Sequence, residues 1–137
     1  MIIFFVDQNL KNLPLSKILD IEKLNNVDKS IEVANGLPNE CYTNANYMAH
    51  EREKIFFNKW TVVGVGSTIP NSGDAKPYNL LGIPLILIRD KDMKIRVFHN
   101  VCSHRGFKLI DEQTTLKNVI RCPYHSWSYD FKGNLVA

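Results

Sequence analysis

The sequence predicts a mainly β domain that follows an N-terminal arm and one helix. β-Branched and aromatic residues separated by short turns dominate the chain after Trp60, whereas the preceding residues are polar or follow helical periodicity. Two short runs, each with one cysteine and one histidine, then fall just beyond expected strands, where a rigid sheet can hold a site. The 137 residues suffice for one such domain. We expect an arm over residues 1–42 and the helix with the β domain over residues 43–137.

The arm is expected to be mostly extended. It begins with "MIIFFV", which is too short for a signal sequence or a membrane span and predicts an edge strand or a packed arm. Leucines and isoleucines are then scattered among polar residues, with breakers at Pro14, Gly36 and Pro38. This pattern predicts one short helix over residues 16–24.

Residues 43–60, "TNANYMAHEREKIFFNKW", carry the clearest helical pattern. Thr43 or Asn44 can cap the helix, and apolar residues such as Tyr47 and Ile55 recur at helical spacing. We expect a packing helix without chemistry of its own.

The strand pattern begins at Trp60. "WTVVGVG" (residues 60–66) predicts a strand, and "NSGDAKPYN" (residues 71–79) predicts a turn-rich loop. Residues 83–89 and 94–99 predict a hairpin with "DKDM" as its turn. The final "SWSYDFKGNLV" predicts a second hairpin that turns at its Lys-Gly pair.

Composition excludes several classes of protein. The formal charge of +3 comes from basic residues spread along the chain, so we expect no nucleic-acid partner. No segment is long and apolar enough for a membrane, and three cysteines without regular spacing do not indicate a secreted disulfide scaffold. These features favour the reducing cytoplasm.

The two cysteine–histidine runs carry the chemistry. "NVCSHRGFKL" (residues 100–109) contains Cys102 and His104, and "IRCPYHSWSYD" (residues 120–130) contains Cys122 and His125. The chain has only three cysteines and four histidines, so coincidence explains the two runs poorly. A structural Cys2His2 zinc site is a second interpretation, but zinc modules usually pair cysteine with cysteine and histidine with histidine.

A Rieske [2Fe–2S] cluster explains why each run mixes the two residue types. Two cysteines bind one iron and two histidines bind the other. Two loops that approach as a pair of clamps therefore each give one cysteine and one histidine, in the patterns C-x-H and C-x-x-H.

The flanking residues indicate a branch of this family. "CSHRG", "CPYHSWSYD" and the upstream "LPNECYTNANYMAHEREKIFFNKWTVVG" resemble the N-terminal part of Rieske non-haem iron oxygenase α subunits. These subunits belong to ring-hydroxylating dioxygenases and choline- and betaine-type monooxygenases. The resemblance covers residues 31–137 and implies the Rieske fold, antiparallel sheets with a cluster-binding subdomain. The ligands that it implies are Cys102, His104, Cys122 and His125.

The resemblance also implies a role in electron transfer. A ferredoxin or reductase supplies the electrons, and a mononuclear iron in a second, larger domain receives them. No histidine follows His125, so we expect this iron site to be absent and the Rieske domain to be cut short at Ala137. The chain alone is then not catalytically competent and holds no catalytic residue, and the full-length protein is expected to form a homo-oligomer. The alternative is a free-standing Rieske ferredoxin, but the arm and helix before the first strand favour the oxygenase.

Four departures or substitutions bear on the site. Respiratory-type Rieske proteins have an extra cysteine in each loop, where this chain has Phe107 and Tyr124, so that branch is excluded. Ser126 replaces the glycine that usually follows the second histidine, which affects local loop geometry. High-potential relatives place a serine where this chain has Trp127. Tyr129 can still donate to a cysteine sulfur, and we expect a potential at the low end of the Rieske range.

Further residues receive simpler interpretations. We expect His99 to be structural, His50 to be a partly exposed helix residue and Cys41 to be a buried free thiol. Four basic residues surround the two loops and can dock an acidic electron donor, although an ordinary solvated face is the simpler explanation. They are Arg105, Lys108, Arg121 and Lys132.

Overall fold

The computed structural model describes residues 13–137, so the expected strand or arm over "MIIFFV" lies outside the described residues. The chain divides into two compact units, with the boundary between Thr61 and Val62. The expected arm over residues 1–42 includes undescribed residues and stays a prediction. Within residues 13–137, every helix is too short or too polar to cross a membrane.

The first unit contains short helices. The α-helices are α1 (Ile21–Asn25), α2 (Glu40–Thr43) and α3 (Ala45–Glu51), and 3-10 turns cover Leu15–Lys17 and Asn26–Asp28. A π-helical turn, Arg52–Phe56, follows α3 directly.

Capping side chains explain where these helices begin. The Asp20 carboxylate accepts hydrogen bonds from the backbone amides of Glu22 and Lys23, so the helix expected over residues 16–24 is broken at this aspartate. Asn44 caps α3 in the same way and confirms one of the two expected caps. The long helix expected over residues 43–60 is wrong in extent, because the α-helical part ends at Glu51, where the π-helical turn begins.

The second unit consists of two antiparallel sheets, which confirms the mainly β fold class. The strands are β1 (Asp74–Leu80), β2 (Ile83–Arg89), β3 (Ile95–His99), β4 (Thr114–Thr115), β5 (Ile120–Arg121) and β6 (Ser128–Tyr129). The larger sheet has the order β3-β2-β1-β4, and β5 and β6 form the smaller one. The expected hairpin over residues 83–99 is confirmed, since β2 pairs with β3 from Leu85↔His99 to Arg89↔Ile95.

The core joins the two sheets. Alternate residues of β1 and β2, Ala75, Ile86 and Ile88, are fully buried, as are both cysteines of the predicted site. Because burial of apolar side chains is the main favourable term in folding, the two cysteines lie where the unit is most firmly packed.

Two expectations about strands are wrong. Residues 71–79 were expected to form a loop, yet most of them belong to β1. Its Pro77 is tolerated because β4 pairs only with Asp74 and Ala75, so the outer side of β1 is free at the proline. Residues 60–66 form no strand; instead, the Arg89 guanidinium donates to the carbonyls of Gly66 and Ile69 and holds this segment in place.

Candidate metal centre

The first cysteine–histidine loop follows β3 and is closed by two backbone hydrogen bonds. The Cys102 amide donates to the Phe107 carbonyl at 2.7 Å, and the Gly106 amide donates to the Cys102 carbonyl at 2.9 Å. Gly106 has φ +72°, a left-handed conformation that suits glycine. The loop thus begins and ends within six residues.

The second loop has the same closure and joins β5 to β6. The Cys122 amide donates to the Trp127 carbonyl at 2.8 Å, and the Ser126 amide donates to the Cys122 carbonyl at 3.0 Å. Ser126 has φ +65° and thus occupies the place of Gly106 in the first loop. The unusual serine at this position does not change the backbone path, although it puts a β-carbon on a left-handed residue.

Asn100 anchors the first loop, and sequence reasoning gave it no role. It is 1% exposed, its side-chain amide donates to the Ile110 carbonyl at 2.6 Å, and its side-chain oxygen accepts from the amides of Leu109 and Ile110. The side chain therefore ties the residue before the loop to the residues after it. The available signal was an asparagine directly after a hydrophobic strand, where a polar side chain needs buried partners.

The two cysteines form the buried base of the centre. Cys102 is 1% exposed and Cys122 is 2% exposed, both are free thiols, and Cys122 lies close enough to Cys102 to lower the pKa of its thiol. Burial raises the pKa of the Cys102 thiol. Hydrogen bonds from Tyr129 and from the backbone amides of His104 and Arg105, together with the contact to Cys122, more than offset it and leave the pKa below its usual value.

The contact expected of Tyr129 is confirmed. Its hydroxyl lies 3.2 Å from the Cys102 Sγ, and it also contacts the Ser103 amide and the Ser103 hydroxyl. Burial and the contact with Cys102 raise the pKa of Tyr129, whereas the hydrogen bonds with Ser103 act in the opposite direction.

The two histidines form the exposed tip. Their Nδ1 atoms face each other at 3.1 Å, and the ring centroids are 4.9 Å apart. Two imidazole nitrogens bound at about 2.0–2.1 Å to one tetrahedral metal ion are separated by roughly 3.3 Å. Two Nδ1 atoms at 3.1 Å thus fit one shared metal ion without rearrangement of the loops.

The four side chains therefore lie as two like pairs, with sulfur at the base and nitrogen at the tip. Within the described part of the chain, no group of three or more His, Cys, Asp or Glu side chains is placed to hold a single metal ion. A four-ligand site for one zinc ion needs such a group. A two-iron group with thiolate ligands on one iron and imidazole ligands on the other needs only the two pairs.

Aromatic side chains flank both histidines. The Trp127 ring lies parallel to the His104 ring at 4.6 Å between centroids, and Tyr124 stacks on His125 at 3.7 Å. Phe107 packs against Tyr124 in turn, at 5.5 Å. Two of these contacts cross between the loops, so the aromatic groups link the two clamps.

The other sequence expectations have mixed outcomes. His50 is half-buried on α3 as expected, whereas Cys41 is only partly buried, so the expectation of a buried thiol is wrong. Cys41 lies on the short, solvated helix α2, which has no buried residue.

Of the four basic residues, three are engaged with neighbours. Lys108 pairs with Asp111 at 2.9 Å, Lys132 pairs with Asp92 at 3.4 Å, and Arg121 donates to the Ser126 hydroxyl.

Comparison with known proteins places this chain in a family. Residues 59–137 match the sequence profile of the Rieske [2Fe-2S] domain. The oxygenase subunit of carnitine monooxygenase from Escherichia coli (strain K12) is 38% identical over 99 residues, which are 72% of this chain and 26% of that protein. The large oxygenase component of salicylate 5-hydroxylase from a Ralstonia species is 37% identical over 105 residues, or 76% of this chain and 25% of that protein.

The fold leads to the same group of proteins. The crystal structure of the apo form of the quaternary ammonium Rieske monooxygenase CntA superimposes with a TM-score of 0.67 at 37% identity, over 74% of this chain and 30% of that chain. The chain thus spans about a quarter of the length of the curated relatives that it matches.

Proposed function

Because the chain belongs to the Rieske [2Fe-2S] domain family, we propose that Cys102, His104, Cys122 and His125 hold its cluster and that the chain transfers electrons through it. A Rieske-type [2Fe–2S] cluster is the cofactor of this domain. Electron transfer is the general role of this portion of oxygenase α subunits. The observation that carries the ligand assignment is the arrangement of the donors as two like pairs, thiol beside thiol and Nδ1 facing Nδ1 at 3.1 Å.

When bound, the cluster takes up and releases one electron. The protein side chains set the conditions for this exchange. The buried cysteines supply negative charge in a place shielded from water, and the hydroxyl and amide groups that point at Cys102 stabilise that charge. The histidine rings are exposed, so electrons are exchanged with a partner at the tip of the loops.

We propose further that the chain serves as the N-terminal portion of an oxygenase α subunit. A ferredoxin or reductase supplies the electrons, and a mononuclear iron held by parts of the oxygenase outside these residues receives them. The relatives named as oxygenase subunits support this assignment. The full-length protein is then a homo-oligomer of the cytoplasm, a location that three free cysteines also favour.

The names of the relatives also suggest how work is divided within such an oxygenase. Two compounds in these names differ in chemical class, since carnitine is aliphatic and salicylate is aromatic. Because the matched portion is similar in these proteins, we assign to it the role that they share, electron transfer. Substrate recognition then belongs to the rest of each oxygenase.

The test of the cluster assignment is its composition. The full chain, purified without oxygen, should contain about two iron atoms and two acid-labile sulfides and give a rhombic EPR signal when reduced. A preparation grown with both metals that holds one zinc ion and no sulfide would refute the proposal.

Ligand variants test the residue assignment separately. Cys102→Ser and Cys122→Ser should each abolish the visible absorption of the cluster, since no other thiol lies at the centre. Cys41→Ser is the matched control, because Cys41 lies on α2 in the other compact unit and should leave the spectrum unchanged. Loss of colour in Cys41→Ser with colour retained in Cys122→Ser would show that the ligand set is wrong.

A further inference from the structure

Ser103 lies between the two proposed ligands of the first loop and contacts a buried hydroxyl. The Tyr129 hydroxyl oxygen has three neighbours: Cys102 Sγ at 3.2 Å, the Ser103 amide nitrogen at 3.1 Å and the Ser103 Oγ at 2.8 Å. Ser103 itself is exposed, whereas Tyr129 is 8% exposed and Cys102 is 1% exposed. One exposed serine thus makes two of the three contacts of a buried tyrosine hydroxyl.

Counting donors and acceptors fixes the direction of these hydrogen bonds. The tyrosine hydroxyl can donate one proton and accept at its remaining lone pairs. A metal-bound cysteine is a thiolate and can only accept, so the tyrosine must donate to Cys102. The Ser103 amide can only donate. Because the single proton of Tyr129 is already committed to sulfur, the Ser103 hydroxyl must also donate to the tyrosine oxygen.

We propose that Ser103 is a positioning residue that strengthens the hydrogen bond from Tyr129 to Cys102 and thereby raises the reduction potential of the cluster. The inference rests on the proposed function, since it takes Cys102 as a cluster ligand. A hydroxyl that accepts hydrogen bonds becomes a stronger donor, so the chain of groups from serine to tyrosine to sulfur is cooperative. Hydrogen bonds to the ligand sulfur stabilise the added negative charge of the reduced state and raise the potential.

The experiment is a double-mutant cycle in reduction potential, measured by protein-film voltammetry on the full chain loaded with its cluster. Tyr129→Phe should lower the potential, and Ser103→Ala should lower it by a smaller amount. In the Tyr129→Phe background, Ser103→Ala should add no further shift. Ser103→Thr, which keeps the hydroxyl, should retain the wild-type potential.

Ser126→Ala is the matched control. It also removes a serine hydroxyl next to a proposed histidine ligand, but that hydroxyl contacts Arg121 and not Tyr129. Any shift that it causes should therefore be the same with tyrosine or phenylalanine at position 129. If Ser103→Ala loses the cluster, Ser103→Thr and Ser103→Val replace it, because these two side chains have the same shape and differ only in the hydroxyl. The potential of the valine variant should then be lower than that of the threonine variant.

Three outcomes would overturn the inference. They are an unchanged potential in Ser103→Ala, a raised potential in Ser103→Ala, or a shift on Ser103→Ala that is the same in the wild type and in Tyr129→Phe. A raised potential would mean that the serine withdraws the tyrosine proton from the sulfur. Failure of the proposed function is distinguishable, because the wild-type chain would then lack the iron and sulfide of the cluster before any potential is measured.

Discussion

Ser126 offers a quantitative test of the loop geometry. It has φ +65°, and the equivalent residue of the first loop, Gly106, has φ +72°. In both loops the amide of this residue donates to the carbonyl of the cysteine four positions earlier, so the left-handed conformation is needed to close the loop. A side chain at such a position strains the backbone, because its β-carbon approaches the following carbonyl oxygen.

The expected magnitude follows from three contributions. The left-handed backbone conformation costs a non-glycine residue about 1–2 kcal/mol. In the opposite direction, glycine loses more conformational entropy on folding, about 0.4–1 kcal/mol, because its unfolded chain is more flexible. The hydrogen bond from Arg121 to the Ser126 hydroxyl is exposed and contributes about 0.5 kcal/mol. Ser126→Ala and Ser126→Gly both lose this bond, so their difference isolates the backbone, and we expect the glycine variant to be more stable by about 1 kcal/mol.

The mirror experiment is Gly106→Ala. A β-carbon at Gly106 would have no atom within 4 Å, so no steric clash adds to the conformational cost. We expect a loss of about 1 kcal/mol, the same size with the opposite sign. Urea unfolding of the cluster-loaded chain, followed by circular dichroism, gives both values from the midpoints. Equal stability of the two Ser126 variants, together with a neutral Gly106→Ala, would refute the reasoning.

Three further predictions follow from other contacts. Asn100→Ala should destabilise the protein by about 1–3 kcal/mol in the same urea assay, because the buried Ile110 amide loses its partner; an unchanged midpoint would mean that water replaces the side chain. Burial raises the pKa of Asp90, but hydrogen bonds from Arg96 and from backbone amides more than offset it and hold the pKa below its ordinary 3.8. The contribution of Asp90 to stability should therefore be constant above about pH 5 and be lost as the pH drops through and below 3.8, so stability should fall more steeply there than in Asp90→Asn. Trp127→Ser should raise the reduction potential from the low end of the Rieske range, on the order of −150 mV, if the new hydroxyl reaches a sulfur; a wild-type potential near +300 mV by voltammetry would show that another group governs the cluster.

Sequence reasoning succeeded where the determining pattern is local. The hairpin of β2 and β3 was predictable because β-branched runs flank a polar turn, and its arms lie within one residue of their expected bounds. The two cysteine–histidine runs were identified by residue type and spacing alone. The cap of α3 was predictable for the same reason, since Asn44 bonds to amides only two and three residues away.

It failed where a tertiary contact overrides the local pattern. β1 contains a proline and directly follows turn-forming residues, and its pairing with β2 across the Leu81-Gly82 turn made it a strand nonetheless. Leu81 has φ +50° in that turn, which a search for Asn-Gly or Asp-Gly would not find. The roles of Asn100 and Ser103 depend on partners up to 26 residues away, and no spacing rule connects such positions.

The unequal spacing of the two motifs acquires a structural reason from the loops themselves. Both loops close between the cysteine and the aromatic residue five positions later, so residue positions can be matched one to one. By this match His104 corresponds to Tyr124, and His125 lies one position further along. The shift leaves Tyr124 free to stack on His125 at 3.7 Å, while Trp127 crosses over to stack on His104. If both loops had C-x-H spacing, one histidine would take the place of Tyr124 and lose its stacking partner. The extra residue of the second motif thus gives His125 an aromatic neighbour that restricts its ring, as Trp127 does for His104.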